Sequence, residues 1–150
     1  MKKNFFLLIL TLSINSSIAQ CSLTFADLDK CINYTFSDFD TFALKKGYSF
    51  NSEKNVFFCD VAFKEGANLA LLRSETEGGY NLIQHIFFLK QSYLDYKEFL
   101  ELNGRLFKTD TDNKTLTLQY LYENRLVMLQ MKTLNSTAVY FIYLSNEKLH

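Results

Sequence analysis

The chain of 150 residues contains no proline and no tryptophan, and it has few of the residues that build metal sites. Its only two histidines are His85, inside an apolar stretch, and His150, the last residue. Neither a Cys-x-x-Cys nor a His-x-x-x-His spacing occurs, and such spacings are typical of metal-ligand pairs. A lone histidine in a strand is more often structural than a ligand. We therefore predict no metal site and no cofactor.

Motifs of nucleophilic and phosphate chemistry are also missing. No Gly-x-Ser-x-Gly elbow is present. Gly78-Gly79 belong to a hairpin turn, not to a junction between a strand and a helix, where a phosphate loop would lie. A Cys–His pair would have to use Cys59 or Cys31 with His85. Cys59 alternates with apolar residues and should face the core, where a thiol is inert. We predict no catalytic residue on these grounds.

Two pairs of carboxylates remain as candidates for hydrolytic chemistry. Asp110 and Asp112 alternate in a polar turn, and Asp38 and Asp40 lie at the start of a predicted helix. Glycosidase-type work needs two carboxylates in one cleft with separated pKa values. A solvated turn and a helix cap account for these acids more simply. The turn also lacks the glycine and the distal glutamate of a calcium loop.

A polybasic patch is absent, and the charges nearly balance. The chain has 16 basic and 16 acidic residues. Without Lys2 and Lys3, which belong to the leader described next, 14 basic residues remain and the net charge is −2. Nothing therefore favours nucleic acid or an anionic membrane as a partner.

The first 19 residues have the three parts of a secretory signal peptide. Two lysines supply the charged start, and residues 5–12 form an apolar run. That run is shorter than the roughly 20 residues that span a membrane. Residues 17–19, Ser-Ile-Ala, fit the cleavage pattern of signal peptidase. We therefore predict a signal peptide at 1–19 and one mature domain at 20–150. That domain is exported to the periplasm, the envelope or the medium, and it has no transmembrane segment.

Cys21 follows the leader closely, which raises the question of a lipid anchor. Lipoprotein processing cuts directly before the cysteine and needs a small residue there, but Gln20 occupies that position. We do not expect lipid anchoring at Cys21. Export favours one disulfide among the three cysteines and leaves one thiol over. We favour Cys31–Cys59, with Cys21–Cys31 as the second choice, because sequence alone does not fix connectivity.

The stretch at 35–50 is copied at an offset of 57 residues, at 92–107. In each copy a hydroxyl residue, Thr35 or Ser92, stands three positions before an aspartate, as in a capping box at a helix N-terminus. A glycine then stands where a left-handed residue closes the last helical turn. Four positions are identical between the copies: Asp38 with Asp95, Phe42 with Phe99, Gly47 with Gly104 and Phe50 with Phe107. We predict two tandem repeats, at about 35–89 and 92–145.

The rest of the chain predicts short strands joined by hairpins. A first short helix is expected at 25–32, and each repeat begins with a helix. Strands are predicted at 48–50, 56–63, 69–74, 80–89, 115–122, 125–132 and 137–144, with polar turns at 64–68 and 109–114 and a frayed tail from 145. This order predicts an α+β fold of two helix-plus-antiparallel-meander repeats that share one sheet, with the helices packed on one face.

The predicted element order resembles that of β-lactamase-inhibitory proteins, which also repeat a helical segment followed by an antiparallel meander. The resemblance lies in this order alone, so no residue and no activity of that family is carried over. It favours an inhibitor-like protein among the possible binding proteins.

Aromatic content is the one positive signal for function. Tyrosine is favoured at protein interfaces, and an excess of it on an open sheet face suggests a binding surface. A sheet covered on both faces would account for the same residues. We predict a small exported bacterial protein, non-enzymatic and inhibitor-like or binding, that acts on a protein or an envelope component. The alternatives are a secreted hydrolase using carboxylates and a carrier of an apolar ligand. The predicted partner-binding face consists of Tyr120, Tyr122, Tyr140 and Tyr143.

Overall fold

The structure is a computed structural model that describes residues 21–59 and 68–148. The predicted signal peptide and most of the predicted turn at 64–68 lie outside the described residues. The described part contains three helices and an eight-stranded antiparallel sheet, which confirms the α+β class. No helix in these two ranges is long and apolar enough to cross a membrane.

Along the chain the elements are two helices, four strands, one helix and four strands. The helices are α1 (Phe25–Cys31), α2 (Phe36–Lys45) and α3 (Lys90–Asn103). The strands are β1 (Ser49–Asn51), β2 (Val56–Phe58), β3 (Asn68–Glu75), β4 (Asn81–Phe87), β5 (Arg105–Asp112), β6 (Thr115–Tyr122), β7 (Arg125–Leu134) and β8 (Thr137–Lys148).

The sheet joins two four-stranded meanders at their last strands. The strand order is β1-β2-β3-β4-β8-β7-β6-β5, and every neighbouring pair is antiparallel. β4 and β8 pair over six residues, from Leu82 opposite Ser145 to Phe87 opposite Tyr140. The first strands of the two meanders, β1 and β5, are therefore the two edges of the sheet.

The first two helices both begin directly after a capping threonine. Thr24 caps α1, and its hydroxyl accepts a hydrogen bond from the backbone N–H of Asp27 in a complete capping box. Thr35 caps α2 in the same way through the N–H of Asp38. Gly47 follows α2 with a φ of 89°, a left-handed conformation that favours glycine.

The second predicted capping box is wrong, because α3 begins before it. The N-cap of α3 is Leu89, which makes no side-chain capping bond, and Ser92 lies inside the helix. Gly104 is also not left-handed, since its backbone is extended with φ −119° and ψ −172°. The chain passes from α3 directly into β5 at this residue. A Cβ atom at Gly104 would lie 3.0 Å from the carbonyl oxygen of Leu100 and 3.1 Å from that of Leu121. Close approach of the backbone, not a turn, therefore requires this glycine.

The strand boundaries differ most from the sequence prediction at β5 and at the end of β8. Residues 109–112 belong to β5 instead of a polar turn, because the β5–β6 ladder continues until Asp112 pairs with Thr115. β8 continues to Lys148 where a frayed tail was expected, since Lys148 still pairs with Arg125. β2 is described only over Val56–Phe58, and residues 60–67 of the longer predicted strand and turn lie outside the described residues. The prediction of β6 at 115–122 is confirmed.

The register divides the sheet residues between two faces, because directly opposite residues of an antiparallel pair point to the same side. We call the inner face the side that carries the row His85, Ile142, Leu129 and Leu118. We call the outer face the side that carries the row Gln84, Tyr143, Met128 and Gln119. All four residues of the inner row are buried, whereas all four residues of the outer row are partly exposed.

Aromatic side chains of the helices contact the inner face. Phe25 of α1 stacks on Phe99 of α3 with ring centres 4.5 Å apart, and it meets Tyr122 edge-on at 5.1 Å. Further pairs are Phe39 with Phe57, Tyr96 with Phe87, and Tyr93 with Tyr140, at 5.7, 5.3 and 4.9 Å. Aromatic rings at these separations gain stacking and edge-to-face attraction beyond the burial of their apolar surface. The nine rings in these contacts therefore form one aromatic layer on the inner face.

Substitution Gly104→Ala tests the junction between α3 and β5. We expect the free energy of unfolding to fall by about 1–3 kcal/mol, because the new methyl group must displace two backbone carbonyls. The control is Gly78→Ala, whose Cβ would meet only side-chain atoms of Tyr80 and Thr76 in an exposed turn. Urea unfolding of both variants measures the difference. Equal stabilities would contradict the account of Gly104.

Candidate functional site

The disulfide joins Cys21 to Cys59, with Cα atoms 6.1 Å apart. The predicted Cys31–Cys59 pair is wrong, and so is the second choice, Cys21–Cys31. Cys31 lies on the buried stripe of α1 with Phe25 and Leu28, so its side chain points into the core. The segment before α1 instead runs beside the end of α2, where the backbone N–H of Cys21 donates to the carbonyl of Lys46 at 2.8 Å. This path brings Cys21 to the end of β2.

Cys31 is a free and buried thiol. Burial, with a further contribution from the charge of Asp27, raises the pKa of Cys31 to about 12. The thiolate is the reactive form of cysteine, so this thiol is inert at neutral pH. The Cys–His pairs considered from the sequence are therefore not a nucleophilic site.

A buried polar cluster surrounds His85 on β4. The ring nitrogen Nε2 lies 3.1 Å from the hydroxyl oxygen of Tyr48, and Nδ1 lies 3.2 Å from that of Tyr96. The histidine is fully buried, and this burial lowers its pKa to about 3. The imidazole is therefore neutral at ordinary pH, with one N–H donor and one acceptor nitrogen.

The two tyrosines also hold the segment before α1. Tyr96 donates its hydroxyl proton to the carbonyl of Leu23 at 2.8 Å, and the Tyr48 hydroxyl lies 3.1 Å from the carbonyl of Cys21. Because the Tyr96 proton is used at Leu23, the ring of His85 donates from Nδ1 to the Tyr96 oxygen. Tyr48 has a single hydroxyl proton, which it shares between the carbonyl of Cys21 and Nε2. All three side chains are buried, with exposed fractions of 2% or less. The cluster is suited to positioning the chain, not to reacting with a substrate.

The acidic residues considered from the sequence do not come together. Asp38 accepts a hydrogen bond from the Thr35 hydroxyl at the start of α2. Asp110 forms an exposed ion pair with Lys108 at 2.8 Å, and Asp112 accepts from the backbone N–H of Asn113 at 2.6 Å. α2 packs at the β1–β2 end of the sheet, and β5 is the opposite edge. Among the described residues, no group of three or more histidine, cysteine or acidic side chains could hold a metal ion.

The four tyrosines of the predicted partner-binding face lie on different sides of the sheet. Tyr120 and Tyr140 are only 1% and 5% exposed, on the inner face. Tyr122 packs on Phe25 on the same side. Tyr143 alone lies on the outer face, where its hydroxyl oxygen accepts a hydrogen bond from Gln84 at 3.1 Å. Residues 140 and 143 are three apart in one strand, so alternation places them on opposite faces.

Other apolar side chains, which the sequence reasoning did not single out, surround Tyr143. Its ring lies nearly parallel to that of Phe141, with centres 6.2 Å apart. A hollow of about 120 Å³ opens beside it, between β4, β8 and β7. We call the outer apolar surface the six partly exposed side chains Leu82, Ile86, Leu126, Met128, Phe141 and Tyr143. These six residues could have been grouped from the sequence, because alternation along β4, β7 and β8 places them on one face of the sheet.

The chain matches no known protein family, and neither the curated proteins nor the solved structures contain a match.

Acidification should expose the role of His85 in stability. Its folded pKa is depressed to about 3, below the unfolded value of about 6.5. The unfolded chain therefore binds this proton first as the pH falls. We expect stability to be full above about pH 6.5 and to fall by up to about 1.4 kcal/mol per pH unit towards pH 3.

His85→Gln should flatten this dependence in chemical unfolding measured between pH 4 and 7 (about the range that separates the two pKa values). The control is His150→Gln, which removes the other histidine and leaves the buried cluster intact. A slope that persists in His85→Gln would show that other groups cause it.

A pair of substitutions in β8 distinguishes the two faces. Tyr140→Ala empties a buried inner site between Phe87 and Tyr93, so we expect a loss of about 3–5 kcal/mol. Tyr143→Ala removes a partly exposed ring on the outer face and should cost about 1 kcal/mol or less. Thermal and urea unfolding compare the two variants. Similar losses would contradict the assignment of Tyr143 to the open side.

Proposed function

We propose that this protein is a non-enzymatic binding protein whose outer apolar surface docks on a partner protein. The observation that supports the proposal is the set of six partly exposed apolar side chains on adjacent strands of one face. A one-sided antiparallel sheet normally presents polar residues to water. A continuous apolar face in water is costly unless something covers it, and such faces mark interaction sites.

The composition of this face favours a protein over a small molecule. Its central rows contain tyrosine, phenylalanine, methionine and glutamine and no charged residue: Gln84, Tyr143, Met128, Gln119, Ile86, Phe141, Gln130 and Thr117. Interface cores are enriched in aromatic residues and methionine and depleted of charge. The hollow of about 120 Å³ is also smaller than ligand pockets, which hold roughly 300–1,000 Å³.

We further infer that all three helices pack on the inner face and that the chain consists of two tandem units, at about 35–89 and 92–145. In support, α2 precedes β1–β4 and α3 precedes β5–β8, and the two meanders meet at β4 and β8. In this arrangement the sheet is one wide platform that the helices leave open on the other side.

An enzyme is the class of partner that we favour, which would make this protein an inhibitor. This step rests on the resemblance of the element order to that of β-lactamase-inhibitory proteins. Export is part of the proposal. The disulfide between Cys21 and Cys59 fits an exported protein, because oxidising compartments are where such bonds persist.

Met128→Glu tests the proposed docking face. The substitution places a charge at the centre of the outer apolar surface, and burying it without a pair weakens a complex by about ten- to a hundredfold. The matched control is Leu44→Glu on α2, where the leucine is 57% exposed away from the outer face.

The assay is capture of partners from envelope and secreted fractions, followed by titration of any enriched protein against the purified variants. We expect one partner that binds the wild type and Leu44→Glu alike and binds Met128→Glu weakly. Inhibition of an enzymatic partner tests the inhibitor assignment. A partner that binds Met128→Glu as tightly as the wild type would overturn the docking face.

A further inference from the structure

The edge strand β5 is exposed along its whole length. All eight residues from Arg105 to Asp112 are exposed, on both faces of the sheet. Within the described ranges β5 pairs with β6 alone, and its other side carries no strand. Apolar side chains also gather here: Leu102 at the end of α3 is 76% exposed, Phe107 61% and Leu106 51%. A long exposed edge of this kind is a template for pairing with another strand.

The hairpin between β5 and β6 decides which backbone groups face outward. Asp112 pairs with Thr115 across a two-residue loop, and residues that close such a loop exchange both backbone hydrogen bonds. The residues of β5 whose backbone groups hydrogen-bond to β6 are then every second one: Asp112, Asp110 and Lys108. The N–H and C=O groups of Thr109 and Thr111 therefore point away from β6, towards the free edge.

We propose that β5 pairs antiparallel with β5 of a second copy of this chain, with the two-fold axis at Thr109. When two edge strands pair antiparallel, residues whose backbone groups point to the free edge lie opposite each other. Because such residues alternate along β5, opposite residues are an even number of positions apart in the sequence. The two-fold axis therefore passes through a residue and not between two residues.

An axis at Lys108 places two lysines opposite each other. An axis at Asp110 places two aspartates opposite each other, although it also sets Lys108 of each copy opposite Asp112 of the other. Of the three registers, only the one with its axis at Thr109 forms ion pairs without a pair of like charges. An axis at Thr109 places Lys108 of each copy opposite Asp110 of the other.

The charge pattern of β5 makes this register self-complementary. Its first half carries Arg105 and Lys108, and its second half carries Asp110 and Asp112. Within one copy Lys108 already lies 2.8 Å from Asp110, and both side chains are about half exposed. In the dimer each can contact the opposite charge of the second copy as well. Directly opposite charges stabilise a strand pair, and like charges destabilise it.

Edge lysines and bulges usually protect a strand from indiscriminate pairing. Both occur in β5, since the β5–β6 register shifts between Leu106 and Lys108. Here they restrict the strand to partners that present an acid opposite Lys108, and β5 itself does so. Charge therefore selects the partner and the register, while the strength comes from the new backbone ladder and from burial of Phe107 and its apolar neighbours.

The two-fold axis would stand perpendicular to the sheet, so the faces of the two copies would continue into each other. Lys108 and Asp110 pair with Gln119 and Thr117, which belong to outer-face rows. The dimer would therefore present two outer apolar surfaces on one side of a single sheet. This inference is independent of the proposed function, because it rests on β5 alone.

Charge reversal with complementation tests the dimer. Sedimentation of the purified protein should show a dimer that dissociates in the micromolar range. Lys108→Glu and Asp110→Lys should each weaken self-association by about tenfold or more, because each places two pairs of like charges across the axis. Mixing the two variants should restore association as a heterodimer, since glutamate at 108 then meets lysine at 110 and Lys108 meets Asp110.

The matched control is Lys54→Glu, which makes the same change of net charge at an exposed turn beside β1, the other edge of the sheet. It should dimerise like the wild type. Circular dichroism checks that each variant is folded. A wild type that stays monomeric through the micromolar range overturns the proposal. Dimers that tolerate both reversals, or a mixture that does not associate better than its components, also overturn it.

Discussion

The pairing of β4 with β8 is the interaction on which the rest of this structure depends. It is the only ladder in the described sheet between strands that are distant in the chain, since every other pair is joined by a hairpin or a short connection. Its inner residues include His85, Phe87 and Tyr140, which contact aromatic side chains of α3. Its outer residues include Gln84 and Tyr143. The same six-residue ladder therefore organises the aromatic layer and the proposed docking surface.

β4 also fixes the start of the domain. His85 lies at the centre of this strand and joins Tyr48, after α2, to Tyr96 of α3. Each tyrosine hydroxyl reaches a backbone carbonyl of the segment before α1, and the disulfide adds a covalent tie from that segment to the end of β2. A neutral histidine suits this position because it bonds both hydroxyls without the cost of burying a charge. The sole histidine of the described residues thus serves the architecture.

Capping residues and strand alternation, which depend only on neighbouring residues in the chain, correctly predicted several elements. Thr24 and Thr35 start α1 and α2, and alternation locates β6. β5 escaped prediction because a strand exposed on both faces has no apolar alternation to reveal it. The disulfide escaped because it depends on the path of the chain before α1. Alternation alone separates Tyr140 from Tyr143, but which of the two is covered depends on where the helices pack, and no local pattern contains that information.

Gly104 joins α3 to β5 without an intervening loop, and this connection divides the molecule into parts of unequal stability. On one side Tyr93, Tyr96 and Leu100 of α3 are buried in the aromatic layer. On the other, β5 buries none of its side chains and is attached through its ladder with β6. Release of β5 is therefore an inexpensive local opening, because it breaks one ladder and withdraws no buried side chain of β5 from the core. The opening ends at Gly104, because the buried face of α3 begins there. It uncovers the backbone edge of β6, a strand whose inner side chains are part of the core.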